Sequence, residues 1–454
     1  MATAAVARES STCVPERNGA ISRRWLWAAA AVVLLTFAAN QFAADWILFR
    51  SGAYPAGDFP HYYLAAKLAG LNGQHKLYAP ANSSKEAAMG NIGEDTEWGR
   101  FAAQNGMRDT LHFSAPPVLA WLLIPLGKLP LNFAYFVWRV FSEICFFAAI
   151  VVCLRLLGAL NPVTLMVCAL AGFAFQPFTL TLEKGQFGAV LLLLWVGGTL
   201  AAKKRWDISS ALMFALATVV KLTPVLGLGL FLKRRRWKWA AAYALWMVLL
   251  MGLGVWRMGM ENHRLYFAKL QALSCGVPGP YNYSLNGIIQ NVYYGDILSY
   301  EQMPDGTPAG LCTGTKVAQA GVYLGALILL FKKNRGNDEV WDMAVLALTV
   351  LLVAPFTWRH YYVLEVFPLL FLWLRGQRFV RPGFALAAAI ACTLVAATRY
   401  PDYLQVHLTN GPVRVFLVAL LPLSALGLML TLLLGCKREA HEVEMPLAEN
   451  KAAA

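Results

Sequence analysis

Apolar runs long enough to cross a bilayer recur along almost the whole chain, and they decide what it can fold into. The first, residues 25–45 (WLWAAAAVVLLTFAANQFAAD), lies behind Arg8, Arg17, Arg23 and Arg24 and meets the roughly 20 residues that a membrane-spanning helix needs. Further runs cover about 115–130, 132–155, 162–182, 187–202, 207–232, 238–257, 314–331, 340–356, 360–374, 382–398 and 413–434. Soluble domains carry about 25% charged residues; this chain of 454 residues carries 14%, against 58% hydrophobic. The expectation is an all-α polytopic membrane protein with about twelve transmembrane helices. The leader ahead of the first run is too long for a signal peptide and lacks a nearby small-residue cleavage site. Residues 1–24 are thus expected as a cytoplasmic tail, 25–435 as one transmembrane domain and 436–454 as a second cytoplasmic tail.

The net charge of +14 is not a nucleic-acid footprint, because Lys and Arg collect in cytoplasmic loops of membrane proteins. The clusters SRRW (22–25), KKRW (203–206), KRRRWKW (233–239), KKNR (332–335) and RGQRFVR (375–381) all lie between apolar runs. The longest could also meet anionic lipid head groups. This orientation puts two long segments, 46–114 and 258–313, outside, and long ordered loops are usually functional. One conflict arises: KKRW and KRRRWKW flank the single run 207–232. Either that run breaks at VVKLTP (219–224), where Pro224 disrupts a helix interior, or KKRW is external and binds phosphate. A break removes one crossing, so a second upstream run must also fail to span, and the short 115–130 is the weakest.

Several polar residues sit where a bilayer should exclude them. Lys221 costs roughly 2.5–3.5 kcal/mol at a bilayer centre unless it snorkels, meets water, or pairs with Glu183 or Asp58. Glu183, Lys184 and Gln186 form either an ordinary tight turn or a polar site between two runs. Arg359, His360, Tyr361 and Tyr362 are an interface belt with a basic end or a binding site for an anionic phosphate. Trp138-Arg139 repeats the arginine theme within another run. Asp58, in GDFPHYYLAAKLAGLNGQHKLYAP (57–80), could cap the helix that follows it or act as a general base at the membrane edge. The eight cysteines show no metal-ligand spacing. Cys145, Cys153, Cys168 and Cys392 fall in apolar runs, while Cys275 and Cys312 share one polar segment and could form a disulfide in an oxidising compartment.

The same stretches resemble glycosyltransferase family 87, C-type enzymes with many membrane spans. GDFPHYYLAAKLAG…HKLYAP is similar to the family's opening loop, D-F-x-x-Y-Y-x-A-A ending in L-Y. PPVLAWLLIPLGKLP resembles its Y-P-P-L helix, LEKGQFGAVLLLLW its G-Q-x-N-x-L-L-L-L segment, VVKLTPVLGLGLFLKRRRWK its K-x-T-P helix, and APFTWRHYYVLEVFPLL its late S-W-x-H-H-Y element. These motifs span about residues 55–370. Departures are Gly188 in place of Asn, Ser114-Ala115 ahead of the prolines, and Arg359 before a single histidine.

The resemblance implies transfer of a sugar, mannose or a similar hexose or arabinose, from a polyprenyl-phosphate donor to a lipid-linked or glycan acceptor. It implies inversion at the anomeric carbon, with Asp58 as the base that deprotonates the acceptor hydroxyl. It places the protein in a bacterial-type cytoplasmic membrane with its active site facing outside. Lys221, Arg359 and His360 are then the candidates for the donor phosphate, and His61, Tyr62, Tyr63, Gln186 and Asn286 for sugar or acceptor. No metal and no other cofactor is expected, since no cluster of Asp, Glu and His suits a divalent ion. The partners are the lipid-linked sugar, its acceptor and membrane lipids, not nucleic acid. The main rival is a secondary transporter using Asp58 and Lys221 as coupling charges, although no internal repeat of the usual kind is visible.

Overall fold

The computed structural model describes residues 23–52, 57–71, 75–78, 96–107, 113–276, 281–295, 304, 306–332, 338–379, 382–397 and 411–434. The expected C-terminal tail, nearly all of the N-terminal one and most of the KKNR cluster lie outside them. Every regular element among the described residues is helical. In order these are α1 (Arg23–Arg50), α2 (Phe59–Ala69), α3 (Glu97–Gln104), α4 (Pro117–Leu122), α5 (Ile124–Gly127), α6 (Leu131–Leu156), α7 (Pro162–Ala174), α8 (Gln176–Lys184) and α9 (Gly188–Lys203). There follow α10 (Asp207–Val220), α11 (Gly227–Lys233), α12 (Trp237–Ala272), α13 (Leu285–Tyr294), α14 (Ala309–Lys332), α15 (Glu339–Val353), α16 (Val366–Phe379), α17 (Pro382–Ala397) and α18 (Gly411–Leu434).

The chain is a polytopic membrane protein, but its spans are less uniform than the apolar runs imply. Among the described residues five helices are long and apolar enough to cross a bilayer: α1, α6, α12, α14 and α18. A sixth candidate is the pair α7–α8, bent by 57° where Phe175 is extended as the N-cap of α8 and Pro177 sits in that helix's first turn. The run 115–130 is not a span; it forms the two short helices α4 and α5. The run 238–257 is longer than its hydropathy indicates. Its helix continues through a kink at Gly259 to Ala272, so part of the expected loop 258–313 is helical.

The run 207–232 breaks where its sequence does. Helix α10 ends at Lys221, whose backbone is extended, and a short 3-10 turn over Thr223–Leu226 leads into α11. The two basic clusters then meet. Arg236 donates to the Ala202 carbonyl at 3.0 Å and to Glu339 at 2.6 Å, and also pairs with Asp207. Arg234 pairs with Asp342, and Arg205 approaches Glu339 at 3.8 Å. One acid-centred network therefore holds the start of α10, the end of α11 and the start of α15 at a single end of the bundle. The hairpin between them enters and leaves at that end, with Lys221 at its tip. Lys204→Cys and Lys238→Cys are accordingly expected to react with an impermeant maleimide from one side of the membrane. Tyr293→Cys, in the segment 258–313 expected outside, is expected to react from the other side. Labelling of 204 and 238 from opposite sides would make the hairpin a true crossing.

Packing follows the aromatics around this hairpin. Phe231 stacks on Trp239 at 3.7 Å, and Trp239 on Tyr243 at 5.2 Å. The Trp239 indole donates to Ser210, whose hydroxyl donates to the Gly198 carbonyl. These two polar side chains, buried in the core, are thus satisfied within it. Helix α1 sits at the edge of the bundle, largely exposed, and is tied to α6 by the ion pair of Asp45 with Arg139 at 2.7 Å. That pair answers why Arg139 stands inside an apolar run.

Candidate active site

Asp58 does not cap its helix: its side chain makes no cap hydrogen bond. Instead the Gln186 amide donates to one carboxylate oxygen, and the Tyr62 hydroxyl donates to the Gln186 carbonyl oxygen at 3.0 Å. The backbone fixes this arrangement from both sides. The Asp58 N–H donates to the Lys184 carbonyl at 3.1 Å, and Tyr135 binds the Leu182 and Glu183 carbonyls at 3.0 Å each. Gly57 (φ +96°) makes the approach possible, because a Cβ there would stand 2.5 Å from Lys184 Cδ. The turn carrying Glu183, Lys184 and Gln186 is therefore more than a connection. It holds a carboxylate that lies 126 residues before Lys184 in sequence, at the start of α2.

Crowding of the Asp58 carboxyl by protein raises its pKa above the ordinary carboxylate value, while the Gln186 hydrogen bond and the Lys184 charge pull it back. A raised pKa makes the carboxylate a stronger base than an ordinary one, a trait of groups that exchange protons in built sites. His61 behaves oppositely. Burial, and next the Lys269 charge, depress it to about 3, so it is a neutral imidazole.

The second half of the site comes from the 3-10 turn Arg359–Glu365. Lys221 places its ammonium over the Tyr361 ring. Lys221 and Lys184 both bear electrostatically on His360, and Asp58 on Tyr361. The hairpin tip, the 184–186 turn and the 3-10 turn thus converge on Asp58. Gly188 seats this junction: a Cβ there would lie 2.7 Å from Thr181 Oγ1, 2.8 Å from Val363 and 3.0 Å from the His360 carbonyl. The departure from asparagine at this position leaves room for the turn to close.

The segment Tyr281–Ser284 is locked onto the same turn. Tyr283 N–H donates to Thr357 at 2.7 Å, Tyr362 donates to Tyr283 at 2.6 Å, and Asn282 accepts from Thr357 N–H at 3.2 Å. Tyr281, Trp358 and His360 stack in sequence at 5.9 and 6.3 Å, an aromatic face suited to a sugar ring. Sequence reading did not single out Tyr281, Asn282 or Trp358.

Other expected site residues have different surroundings. Tyr63 turns away from Tyr62 and donates to the Leu129 carbonyl at 2.8 Å. Asn286 donates to the Cys275 carbonyl at 2.8 Å, beside the disulfide that joins Cys275 to Cys312. Arg359 is buried on the 3-10 turn, but the charges that bear on Asp58 and His360 are the lysines. Lys184 bears on Asp58, and Lys269, which the sequence did not single out, bears on His61. Among the described residues no three His, Cys, Asp or Glu side chains are grouped to hold a metal ion.

The glycosyltransferase family 87 profile matches residues 113–355, more than half of the chain. The chain belongs to glycosyltransferase family 87. Gln186, Lys221 and Asn286 lie within that family match, whereas Asp58 precedes it and Arg359 and His360 just follow it. Among curated relatives, the chain is 27% identical over 282 residues to a polyprenol-phosphate-mannose-dependent alpha-(1-2)-phosphatidylinositol pentamannoside mannosyltransferase of Mycobacterium tuberculosis. That match covers 60% of this chain and 61% of the relative. The protein of the same description from Mycolicibacterium smegmatis is 27% identical over 271 residues, covering 59% of this chain and 62% of that one. The matched region therefore spans about three fifths of each relative.

Proposed function

We propose that this family 87 protein transfers a sugar, mannose or a similar hexose, from a polyprenyl-phosphate donor to a lipid-linked or glycan acceptor on the external face of a bacterial-type cytoplasmic membrane. The observation that carries the reading is the Asp58 carboxylate, freed from capping, held by Gln186, beside Lys184 and acting on Tyr361, whose ring Lys221 covers. Asp58 takes the acceptor hydroxyl proton as that oxygen bonds to the anomeric carbon from the face opposite the phosphate. The carbon–oxygen bond to phosphate breaks, the electron pair leaves with the phosphate, and the configuration inverts. A phosphate leaving group needs no acid, so one carboxylate suffices. Lys221, His360 and Arg359 are the candidates to stabilise the charge that develops on it. His61, Tyr62 and Gln186 line the acceptor side.

Two features support the external placement. Disulfides persist in oxidising compartments, so Cys275–Cys312 fits an outward end, and the arginine network at the start of α10 fits an inward one. Counting α1, α6, the α7–α8 pair, α9, α12, α14, α15, α16, α17 and α18 as crossings gives ten. The broken run 207–232 and the short helices of 115–130 account for the two that the apolar count adds. The reading needs no metal, and full activity in a chelator is the expected result.

The test is transfer by purified protein from a panel of radiolabelled polyprenyl-phosphate sugars to extracted envelope lipids. Transfer identifies the donor; its absence from every donor, with folded protein, would favour a transporter using Asp58 and Lys221. Because the base must be unprotonated, the rate is expected to fall as pH drops through the raised Asp58 pKa. Gln186→Leu removes a hydrogen bond that lowers this pKa, so the acid limb of its pH–rate profile is expected to move to higher pH. Each unit of displacement lowers the rate on that limb about tenfold. An unmoved limb would separate the titrating group from Asp58.

A further inference from the structure

A second polar group lies against Tyr62, and its lysine is not used by the chemistry above. The Tyr62 ring contacts His61 at 4.1 Å between centroids and Phe113 at 6.2 Å. Lys269 donates to the Phe113 carbonyl at 3.2 Å. Both residues are buried, His61 4% and Lys269 6% exposed. An ammonium carries three donors, and this one has a single acceptor among the described residues, with no carboxylate paired to it. The His61 ring is equally short of partners, its Nε2 being buried with no hydrogen bond. Lys269 is the charge that acts on His61, whereas Lys184 acts on Asp58 and both Lys184 and Lys221 act on His360. The site therefore contains two cationic groups, Lys184 with Lys221 acting on Asp58 and His360, and Lys269 acting on His61.

A buried cation with unused donors is costly unless an anion completes it. The lysines at Asp58 face the leaving phosphate, so the group across Tyr62 faces the other substrate. We propose that Lys269 and His61 form an oxyanion subsite on the acceptor side, selecting acceptors that carry a phosphate or carboxylate near the hydroxyl to be glycosylated. Helix α12 builds it deliberately. After the Gly259 kink its inward face carries Asn262, His263, Tyr266 and Lys269, and Asn262 pins the His75–Leu77 segment through bonds of 2.8 Å to the His75 carbonyl and Leu77 N–H. His61 falls on a variable position of the D-F-x-x-Y-Y pattern, so the subsite would be a property of this chain and not of its whole family.

This inference rests on the transferase reading, and its test separates the two. Binding is measured without donor, by quenching of tryptophan fluorescence on titration with three soluble glycosides: neutral, phosphate-bearing and uronate. Steady-state transfer to the same glycosides is then measured. The wild type is expected to prefer one acidic glycoside, and the two acidic arms decide between phosphate and carboxylate. Lys269→Gln is expected to weaken its binding and raise its KM roughly 10- to 100-fold, the range for a hydrogen bond to a charged group. The neutral glycoside and the donor KM are expected to be unaffected, and Lys269→Arg should restore part of the preference. His61→Leu serves if Lys269→Gln does not fold by thermal unfolding. Equal affinity of the wild type for neutral and acidic glycosides overturns the subsite, as does a rise in donor KM alone. Acidic preference in binding with no transfer from any donor would instead leave the subsite standing and remove the transferase reading.

Discussion

Asp58→Asn is expected to lower sugar transfer by roughly 10²–10⁴-fold, the contribution of one positioned base, with little change in acceptor KM. The substitution is nearly isosteric and keeps an oxygen for the Gln186 amide, so the Gln186–Tyr62 arrangement survives in the variant. What is lost is proton acceptance alone. Folding should be unaffected, because the Asp58 side chain does not cap α2 and the backbone bond to Lys184 remains. Side-by-side initial rates and thermal unfolding of the two proteins check this. Equal rates would move the base elsewhere. A fall in melting temperature as large as the fall in rate would make Asp58 a structural residue.

Lys221→Met is expected to reduce kcat by roughly 10²–10³-fold, on the scale of losing one preorganised charge at a transition state. Methionine matches the length of the lysine stem and can lie on the Tyr361 ring as the ammonium does, with a favourable sulfur–aromatic contact. The charge on the departing phosphate would then develop without its nearest hairpin cation. The expected signature is a kcat effect that exceeds the KM effect, because phosphate charge grows as the bond breaks. Thermal stability should hold or improve, since among the described residues Lys221 has no carboxylate partner. A transporter would give a different pattern, with loss of coupled uptake and no transfer in either protein. Unchanged kcat in the variant would leave the phosphate to His360 and Arg359.

The features that were legible in the sequence are those that depend on local chemistry. The break at 219–224 is readable because Pro224 and a lysine cannot sit together in a helix interior. Once it is accepted, the two basic clusters must share an end, which the Arg236–Glu339 bond shows. Asp58, Gln186, Lys221 and His360 were each visible as polar residues in apolar surroundings, and they do converge. What could not be read is direction. Tyr62 and Tyr63 are adjacent, yet consecutive helical residues point about 100° apart, so one reaches Gln186 and the other Leu129. Lys269 was hidden for a related reason. It falls in the segment 258–313, expected as a loop, where a lysine looks like a cation facing water, and only the helix continuing past the kink at Gly259 carries it into a buried face. For Asn286 the sequence could not show direction either, because an asparagine in a tyrosine-rich loop suits sugar binding and bracing alike, and its amide donates to the Cys275 carbonyl.

The hairpin that carries Lys221 also bears on how the protein is made. Its tip rests on Tyr361, which the ribosome adds 140 residues later. At about 5–20 residues per second, the lysine waits on the order of 10 s in a partly built membrane domain without that ring. During this interval the preceding helices must shelter it, or the run must slip back toward the cytoplasm. Assembly of the hairpin is therefore a late event governed by translation. Slowing synthesis between positions 221 and 361 would lengthen the period in which membrane quality control can recognise an unfinished chain.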